Sequence, residues 1–166
     1  MSSALAYLAG QHIAHNDIKP ANITYSPQRG AVLIDFEMAT STVAAAGTAS
    51  GGTPWYLPPK FLNSPKNRGA GGDVWALGVT MLYVLGRIGL PEKTVEHWRI
   101  HDVADRRGEA RRAMTTWIRS VAGASQLLDG EDRVQRLVRR MLERGVDTRV
   151  RAEQVLVVLE EKDGGG

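Results

Sequence analysis

This 166-residue chain has no cysteine, few aromatic residues and no long apolar run. Without cysteine, disulfides and thiolate metal sites are excluded, which suits a reducing compartment. The longest apolar run covers residues 74–85 and is shorter than the roughly 20 residues that a membrane-spanning helix needs. That run therefore predicts a buried helix, and we expect no membrane partner.

Basic residues are slightly in excess of acidic ones, which gives a net charge of +3. The excess comes largely from two clusters of arginines, and such clusters are more often solvated helix faces than nucleic-acid surfaces. No aromatic residue lies within the second cluster, so we expect no nucleic-acid partner. The first residues carry no basic flank, which indicates neither a signal nor a transit peptide and favours an intracellular location, cytoplasmic or nuclear. The clusters are Arg106, Arg107, Arg111 and Arg112, and Arg133, Arg136, Arg139 and Arg140.

The length and composition fit one compact domain, and the spacing of apolar residues predicts several helices and one small β component. Residues 3–12 have helical spacing. Two β-prone runs at 23–25 and 32–34 flank a string of turn formers, which predicts a hairpin. Residues 73–85 are apolar on all sides, as a central helix surrounded by others requires. Asp73 lies where a helix N-cap or first-turn carboxylate is favoured.

The remaining segments complete this outline. Residues 134–142 and 152–159 carry apolar side chains on one helical face and predict amphipathic helices packed against the core. Residues 40–52 are small and polar with almost nothing to anchor them, which predicts a mobile loop. We expect one domain over residues 1–163 and a flexible tail at 164–166.

Two carboxylates, an amide and an ammonium lie around the two ends of the predicted hairpin. Asp17, Lys19 and Asn22 precede the hairpin, and Asp35 follows it. Such a set can hold a divalent cation and a polyanionic substrate, because oxygen ligands suit magnesium and a lysine suits phosphate. Taken singly, Asp17 and Asn22 are ordinary turn residues, and Asp35 merely follows a strand. The whole combination is too specific for chance and needs one explanation.

Residues 15–23 and 35–37 resemble the catalytic loop and the metal-binding loop of eukaryotic-type protein kinases. Residues 52–60, 73–78 and 147–156 resemble the end of the activation segment, the central helix and the opening of the last helix, in the family's order. The resemblance implies a kinase C-terminal lobe. Its fold would be a helical bundle around a buried central helix, with a small β-hairpin carrying the catalytic and metal loops.

The same resemblance implies a role for each polar residue. Asp17 would accept or orient the substrate hydroxyl, and Lys19 would lie beside the transferred phosphate. Asn22 and Asp35 would hold Mg²⁺. Lys19, Asn22 and Asp35 would together bind the complex of ATP and Mg²⁺. Because phosphoryl transfer is catalysed mainly by positioning and charge neutralisation, these four residues suffice for this lobe's share. Lys19 two residues after Asp17, with Thr53 later, is similar to the serine/threonine branch.

The sequence holds no counterpart of the family's glycine-rich loop, of its strand lysine or of its helix glutamate. We therefore expect half of the nucleotide site to come from elsewhere, for example from an N-lobe-supplying or scaffold protein. Two hypotheses remain. The chain is either a catalytic lobe that transfers the ATP γ-phosphoryl group to protein Ser/Thr hydroxyls once completed, or a truncated pseudokinase that acts as a protein-binding module. We expect the isolated chain to be inactive.

Three residues depart from the family pattern. Asn16 replaces an arginine that pairs with a phosphorylated activation loop, so we expect no strong switching by that route. Glu37 replaces a glycine, which removes the freedom to take positive φ and adds a carboxylate that either hinders the metal loop or becomes an extra ligand. Lys60 replaces a glutamate whose partner would be Arg149. We expect a buried repulsion unless Lys60 reaches solvent along its stem, and predict that Lys60→Glu raises the melting temperature.

Overall fold

A computed structural model describes residues 2–43, 51–64 and 69–160 of the chain. Within these ranges helices dominate, and four short strands form two separate two-stranded sheets. The predicted mostly α-helical fold with a small β component is therefore confirmed in outline. The elements are α1 (Ser2–Gly10), β1 (Ile13–Ala14), β2 (Ile23–Ser26), β3 (Gly30–Leu33), β4 (Thr40–Ser41), α2 (Gly69–Val84), α3 (Pro91–Thr94), α4 (Ile100–Ala104), α5 (Gly108–Gln126), α6 (Arg133–Met141) and α7 (Ala152–Glu160).

Helix α2 is the centre of the lobe. It contacts α1, α5, α6 and α7 as well as strand β1, and residues 72–80 are all buried. A helix that is apolar on all sides can be stable in water only when other elements surround it, which is what is observed here. The predicted central helix is confirmed, but it begins at Gly69. The prediction that Asp73 caps the helix is wrong, because Asp73 lies inside α2 and its carboxylate binds backbone N–H groups of another segment.

Strands β2 and β3 form the predicted hairpin. They are antiparallel, with Ser26 opposite Gly30 at the turn. The Ser26 hydroxyl accepts a hydrogen bond from the backbone N–H of Arg29 at 3.1 Å, and Gly30 adopts a φ of 66°, which a side chain would disfavour. At the open end, the backbone N–H of Ile34 donates to the carbonyl of Asn22 at 3.0 Å. The hairpin thus brings the segments before and after it together.

The sequence does not predict the second sheet, which pairs β1 with β4. The pairing is antiparallel, with Ala14 opposite Thr40. The segment 40–52, predicted as a mobile loop, is therefore anchored at its start, and this part of the prediction is wrong. Residues 44–50 and the predicted tail at 164–166 lie outside the described residues.

Helices α5, α6 and α7 pack on α2. Helix α6 begins at an N-cap, where the Asp132 carboxylate accepts a hydrogen bond from the backbone N–H of Gln135 at 2.7 Å. Its buried face confirms the predicted amphipathic helix, and α7 buries Ala152 and Val155 in the same way. Across the described ranges, no helix is both long and apolar enough to cross a membrane. The core includes all four tryptophans, Trp55, Trp75, Trp98 and Trp117.

Candidate functional site

Residues 15–19 form a loop that α2 holds in place. The buried carboxylate of Asp73 accepts hydrogen bonds from the backbone N–H groups of His15 at 2.7 Å and Asn16 at 2.9 Å. Backbone donors inside a protein must be paired, and here one side chain pairs two of them. The loop is therefore fixed to the most buried helix of the lobe.

His15 joins this loop to the loop that follows β3. Its imidazole is fully buried; Nε2 lies 3.1 Å from the carbonyl of Ile34, and Nδ1 accepts from the backbone N–H of Asp17 at 3.3 Å. Burial lowers the pKa of His15, so the ring is neutral at pH 7. A carbonyl partner at Nε2 and an N–H partner at Nδ1 fix the tautomer with the proton on Nε2. The ring also packs edge to face against Phe36 at 4.8 Å between centroids.

Asp17 is the centre of the candidate site. The Thr53 hydroxyl donates to Oδ1 at 2.7 Å, and Oδ2 accepts from Lys19 Nζ at 2.8 Å and from Asn22 Nδ2 at 3.1 Å. Burial by itself raises the pKa of Asp17, but the hydrogen bonds from Lys19, Thr53 and Asn22 outweigh it and hold the pKa below its ordinary value. Asp17 is therefore a buried, ionised carboxylate at neutral pH.

Thr53 is the site residue whose role the sequence does not reveal. Its hydroxyl donates to Asp17 and accepts from Lys19 Nζ at 2.8 Å, so it bridges the acid and the ammonium. The residue stands just before the turn Pro54–Tyr56, which fixes its backbone. From the sequence, Thr53 is only a mark of the serine/threonine branch. Its place before Pro54, in the segment that resembles the end of an activation segment, gives no sign of the contact with Asp17.

Asn22 and Asp35 lie at the open end of the hairpin. The Asn22 amide nitrogen donates to the Asp17 backbone carbonyl at 2.8 Å as well as to its carboxylate, which leaves the Asn22 carbonyl oxygen for a cation. Asp35 follows Ile34, whose backbone N–H binds Asn22, and its carboxylate is exposed. The Asn22 amide oxygen and the Asp35 carboxylate are hard oxygen ligands, which magnesium binds together with phosphate oxygens. No cluster of three or more His, Asp or Glu side chains in the described part of the chain is placed to hold a metal.

The metal loop takes its unusual backbone conformation at Asp35. Asp35 has a φ of 64°, and Glu37 is not among the described residues with positive φ. Aspartate tolerates the left-handed region better than most side chains. The positive φ that Glu37 was expected to disfavour is therefore not required of it, and its side chain is exposed.

Asn16 connects the loop of residues 15–19 to strand β4. Its φ is 66°, and its amide nitrogen donates to Met38 O at 3.0 Å, to Thr40 Oγ1 at 2.9 Å and to Ala14 O at 3.3 Å. A short neutral amide thus holds the segment after the metal loop without any added phosphate. This explains why the first residues of the predicted mobile loop are ordered.

Arg149 does not show the repulsion from Lys60 that the sequence predicts. Arg149 is 3% exposed, and its guanidinium carbon lies 5.2 Å from the centroid of the Trp75 ring. Lys60 is half-buried and is not among the contacts of Arg149 in the described ranges. The prediction that Lys60→Glu raises the melting temperature therefore loses its basis. The guanidinium donates to three backbone carbonyls, those of Glu143 at 2.9 Å, Gly71 at 2.6 Å and Arg144 at 3.4 Å.

Comparison with known proteins agrees with this geometry. Serine/threonine-protein kinase 32C of Homo sapiens is 39% identical over 108 residues, which is 62% of this chain and 20% of that protein. Serine/threonine-protein kinase Sgk1-A of Xenopus laevis is 38% identical over 94 residues, 55% of this chain and 21% of that protein. Mitogen-activated protein kinase kinase kinase 3 of Arabidopsis thaliana is 37% identical over 81 residues, which is 48% of this chain and 13% of that protein.

The chain therefore spans about a fifth or less of the length of these relatives. The sequence model of the protein kinase domain family matches residues 1–158, which is nearly the whole chain. The match includes the buried helix, the hairpin and both loops that meet at Asp17. On this basis the chain belongs to the protein kinase domain family.

Proposed function

We propose that this chain is the phosphoryl-transfer lobe of a serine/threonine protein kinase, with the lobe extending over residues 1–163. The observation that carries the proposal is the network at Asp17. A buried, ionised carboxylate is held by Lys19, Asn22 and Thr53, next to the loop that carries Asp35. A carboxylate in that state can accept a proton. The ammonium of Lys19 suits a phosphate group, and the amide oxygen of Asn22 suits a cation.

In the proposed reaction, Asp17 orients a substrate serine or threonine hydroxyl and accepts its proton. The hydroxyl oxygen forms a bond to the γ-phosphorus of ATP as the bond from that phosphorus to the bridging oxygen breaks, and ADP leaves. The Lys19 ammonium, held by Asp17 and Thr53, neutralises charge on the transferred group. Asn22 and Asp35 would hold Mg²⁺, which would supply positive charge against the phosphate oxygens when bound.

The proposed function requires further nucleotide-binding residues, because the residues around Asp17 supply only one half of a kinase nucleotide site. The glycine-rich loop and strand lysine of the family are not among these 166 residues, so we propose that another segment or an N-lobe-supplying or scaffold protein provides them. We propose also that Asn16 makes the lobe independent of activation-loop phosphate, because its amide already binds Met38 and Thr40.

Nucleotide binding tests the proposal directly. The purified chain is titrated with ATP and Mg²⁺ while its melting temperature is followed, because a ligand at 100 times its dissociation constant adds about 2.7 kcal/mol to the free energy of unfolding. We expect a rise that requires both ATP and Mg²⁺ and that Asp35→Asn abolishes. Asp105→Asn, which changes an exposed carboxylate at the end of α4, is the matched control and should keep the full rise.

The second candidate function is a protein-binding module without phosphoryl transfer, as in a pseudokinase. The observation that favours it is Glu37, an exposed carboxylate two residues after Asp35 in the metal loop. A negative charge there opposes the approach of nucleotide phosphates. If the wild-type chain and Asp35→Asn both give no change in melting temperature, the isolated lobe either needs a partner to complete the nucleotide site or acts only by binding.

A further inference from the structure

Among the methionines that the structure describes, Met38 is the most exposed. Its exposed fraction is 40%, whereas Met114 and Met141 are 0% and 3% exposed and Met81 is partly buried. Met1 lies outside the described residues. Because the chain has no cysteine, the thioether of methionine is its most readily oxidised group. A thioether has no proton to lose, so its access to solvent decides how fast an oxidant reaches it.

The thioether of Met38 packs against the backbone of Gly51. A Cβ built on Gly51 would overlap Sδ of Met38, and it would lie 3.0 Å from Cε and 3.6 Å from Cγ of the same side chain. Met38 therefore fills the space that a side chain at residue 51 would take. Since Met38 lies just before β4 and Gly51 near the end of segment 40–52, the contact joins the two ends of that segment.

The contact lies close in sequence to the residue that bridges Asp17 and Lys19. Gly51 stands two residues before Thr53, whose hydroxyl donates to Asp17 at 2.7 Å. Gly52, between them, has a φ of 98°, which few residues other than glycine adopt. The packing of Met38 on Gly51 thus helps to position the backbone that leads into Thr53.

The backbone of Met38 is held separately from its side chain. Its carbonyl accepts a hydrogen bond from the Asn16 amide at 3.0 Å, and the backbone N–H of Ala39 donates to the carbonyl of Phe36 at 3.0 Å. The side chain of Met38 can therefore leave Gly51 while the turn that carries it stays in place.

We propose that Met38 is a modification site, at which a hydroperoxide oxidises the thioether and so separates it from Gly51. With hydrogen peroxide, a lone pair of Sδ attacks one oxygen, the O–O bond breaks, and the departing hydroxide takes up the remaining proton and leaves as water. The sulfur loses two electrons and the peroxide gains them. The product is a sulfoxide, which is polar and is more stable in water than against the Cα of Gly51.

The consequence of this oxidation is a looser connection between Thr53 and Asp17. The backbone at residues 51–53 loses an apolar contact, and the Thr53 hydroxyl is then less firmly held against the carboxylate. The oxidation and the loosening do not depend on phosphoryl transfer. Any effect on catalysis rests on the function proposed above.

Peptide mapping tests whether Met38 is the preferred target. Trypsin leaves each of the five methionines in a peptide of its own. The folded chain is exposed to hydrogen peroxide for increasing times, quenched and digested, and the sulfoxide in each peptide is measured by mass spectrometry. We expect Met38 to react faster than Met81, Met114 and Met141. In urea, where the fold is lost, the four rates should become equal.

Nuclear magnetic resonance tests the contact itself. In the reduced chain, the Met38 methyl group should show a nuclear Overhauser effect to the α protons of Gly51. After mild oxidation that leaves Met114 and Met141 intact, we expect this signal to be lost. Amide exchange at Gly52 and Thr53 should become faster, whereas exchange in the hairpin of β2 and β3 should not change.

Two variants separate the loss of the contact from other effects of peroxide. Met38→Leu keeps an apolar side chain without sulfur, so peroxide should no longer change amide exchange at Thr53. Gly51→Ala places a Cβ where Sδ lies, so it should displace Met38 and speed exchange at Thr53 without peroxide. Gly123→Ala, where a Cβ meets nothing within 4 Å, is the matched control and should leave exchange at Thr53 unchanged.

Three results would overturn the proposal. The first is oxidation of Met38 no faster than that of Met114 or Met141 in the folded chain. The second is a contact with Gly51 that survives oxidation. The third is an equal response to peroxide in Met38→Leu. Failure of the chain to bind ATP would count against the proposed function alone, because none of these measurements uses nucleotide.

Discussion

The Thr53 hydroxyl is, after Lys19, one of the groups that set the electrostatic state of Asp17. It donates to Asp17 and accepts from Lys19, and its hydrogen bond is one of the causes that lower the pKa of Asp17. We expect Thr53→Val to raise that pKa towards the ordinary aspartate value, because a methyl group replaces the donor. Thr53→Ser should keep the wild-type pKa. A ¹³C titration of the Asp17 carboxyl signal measures both.

The same substitution changes how stability depends on pH. A carboxyl with a lowered folded-state pKa stabilises the protein above its unfolded pKa, near 3.8 for aspartate, and loses that contribution as the pH falls through the folded value. Thr53→Val should therefore lose part of this stabilisation at neutral pH. Thr116→Val, at an exposed position in α5, controls for loss of a hydroxyl. An unchanged Asp17 pKa in Thr53→Val would show that Lys19 and Asn22 are sufficient.

At the scale of single residues, the sequence predicts which groups carry the chemistry but not what holds them. Asp17, Lys19, Asn22 and Asp35 stand out because they cluster along the chain. Asp73 and Thr53 are noted in the sequence for other reasons, but their contacts with residues 15–17 are not predicted, since these cross 58 and 36 residues. Such pairings depend on the packed fold, and no local spacing encodes them.

The contact between α2 and the end of α6 depends on a glycine. A Cβ on Gly78 would lie 2.9 Å from Cγ and Cδ2 of Leu142 and 3.1 Å from Cβ of Met141, too close for a packed core. We expect Gly78→Ala to destabilise the lobe by about 1–3 kcal/mol, because overpacking forces backbone or side chains to move. Urea unfolding measures the change.

Gly123 gives the matched comparison on another helix. It lies inside α5, and a Cβ there meets nothing within 4 Å. Gly123→Ala should stabilise by about 0.5–1 kcal/mol, because alanine loses less conformational freedom on helix formation. If both substitutions stabilise, α2 and α6 do not approach as closely as the structure indicates.

At the scale of elements, long and strongly patterned segments are predictable and short ones are not. The hairpin follows from a turn between two β-prone runs, and α2 from its apolar composition. Strands β1 and β4 have two residues each, too few for an alternating pattern to be recognised. Their pairing depends on the position of the loop at residues 15–19 and on the Asn16 amide. The strand propensity of residues 40–41 alone does not predict it.

For the molecule as a whole, Asp73 is the point where the site and the core meet. Asp73→Ala would leave the backbone N–H groups of His15 and Asn16 without this acceptor. Each buried donor left unpaired costs about 1–3 kcal/mol, so we expect a loss of several kcal/mol in urea unfolding. Asp132→Ala removes an exposed helix cap and should cost only about 1 kcal/mol. Equal losses in the two variants would mean that the loop does not depend on α2.

The anchoring of the catalytic loop on Asp73 has a consequence for the order in which the lobe folds. The bonds that join the loop to α2 span 57 and 58 residues, and the bond from Arg149 to Gly71 spans 78. Closing such long loops costs entropy before the contacts are gained. Local segments, such as the hairpin, can form early on their own. The grouping of Asp17 with Thr53 and Asp73 can exist only after the chain has collapsed around α2, so a nascent or partly unfolded chain holds the sequence motifs without the assembled site.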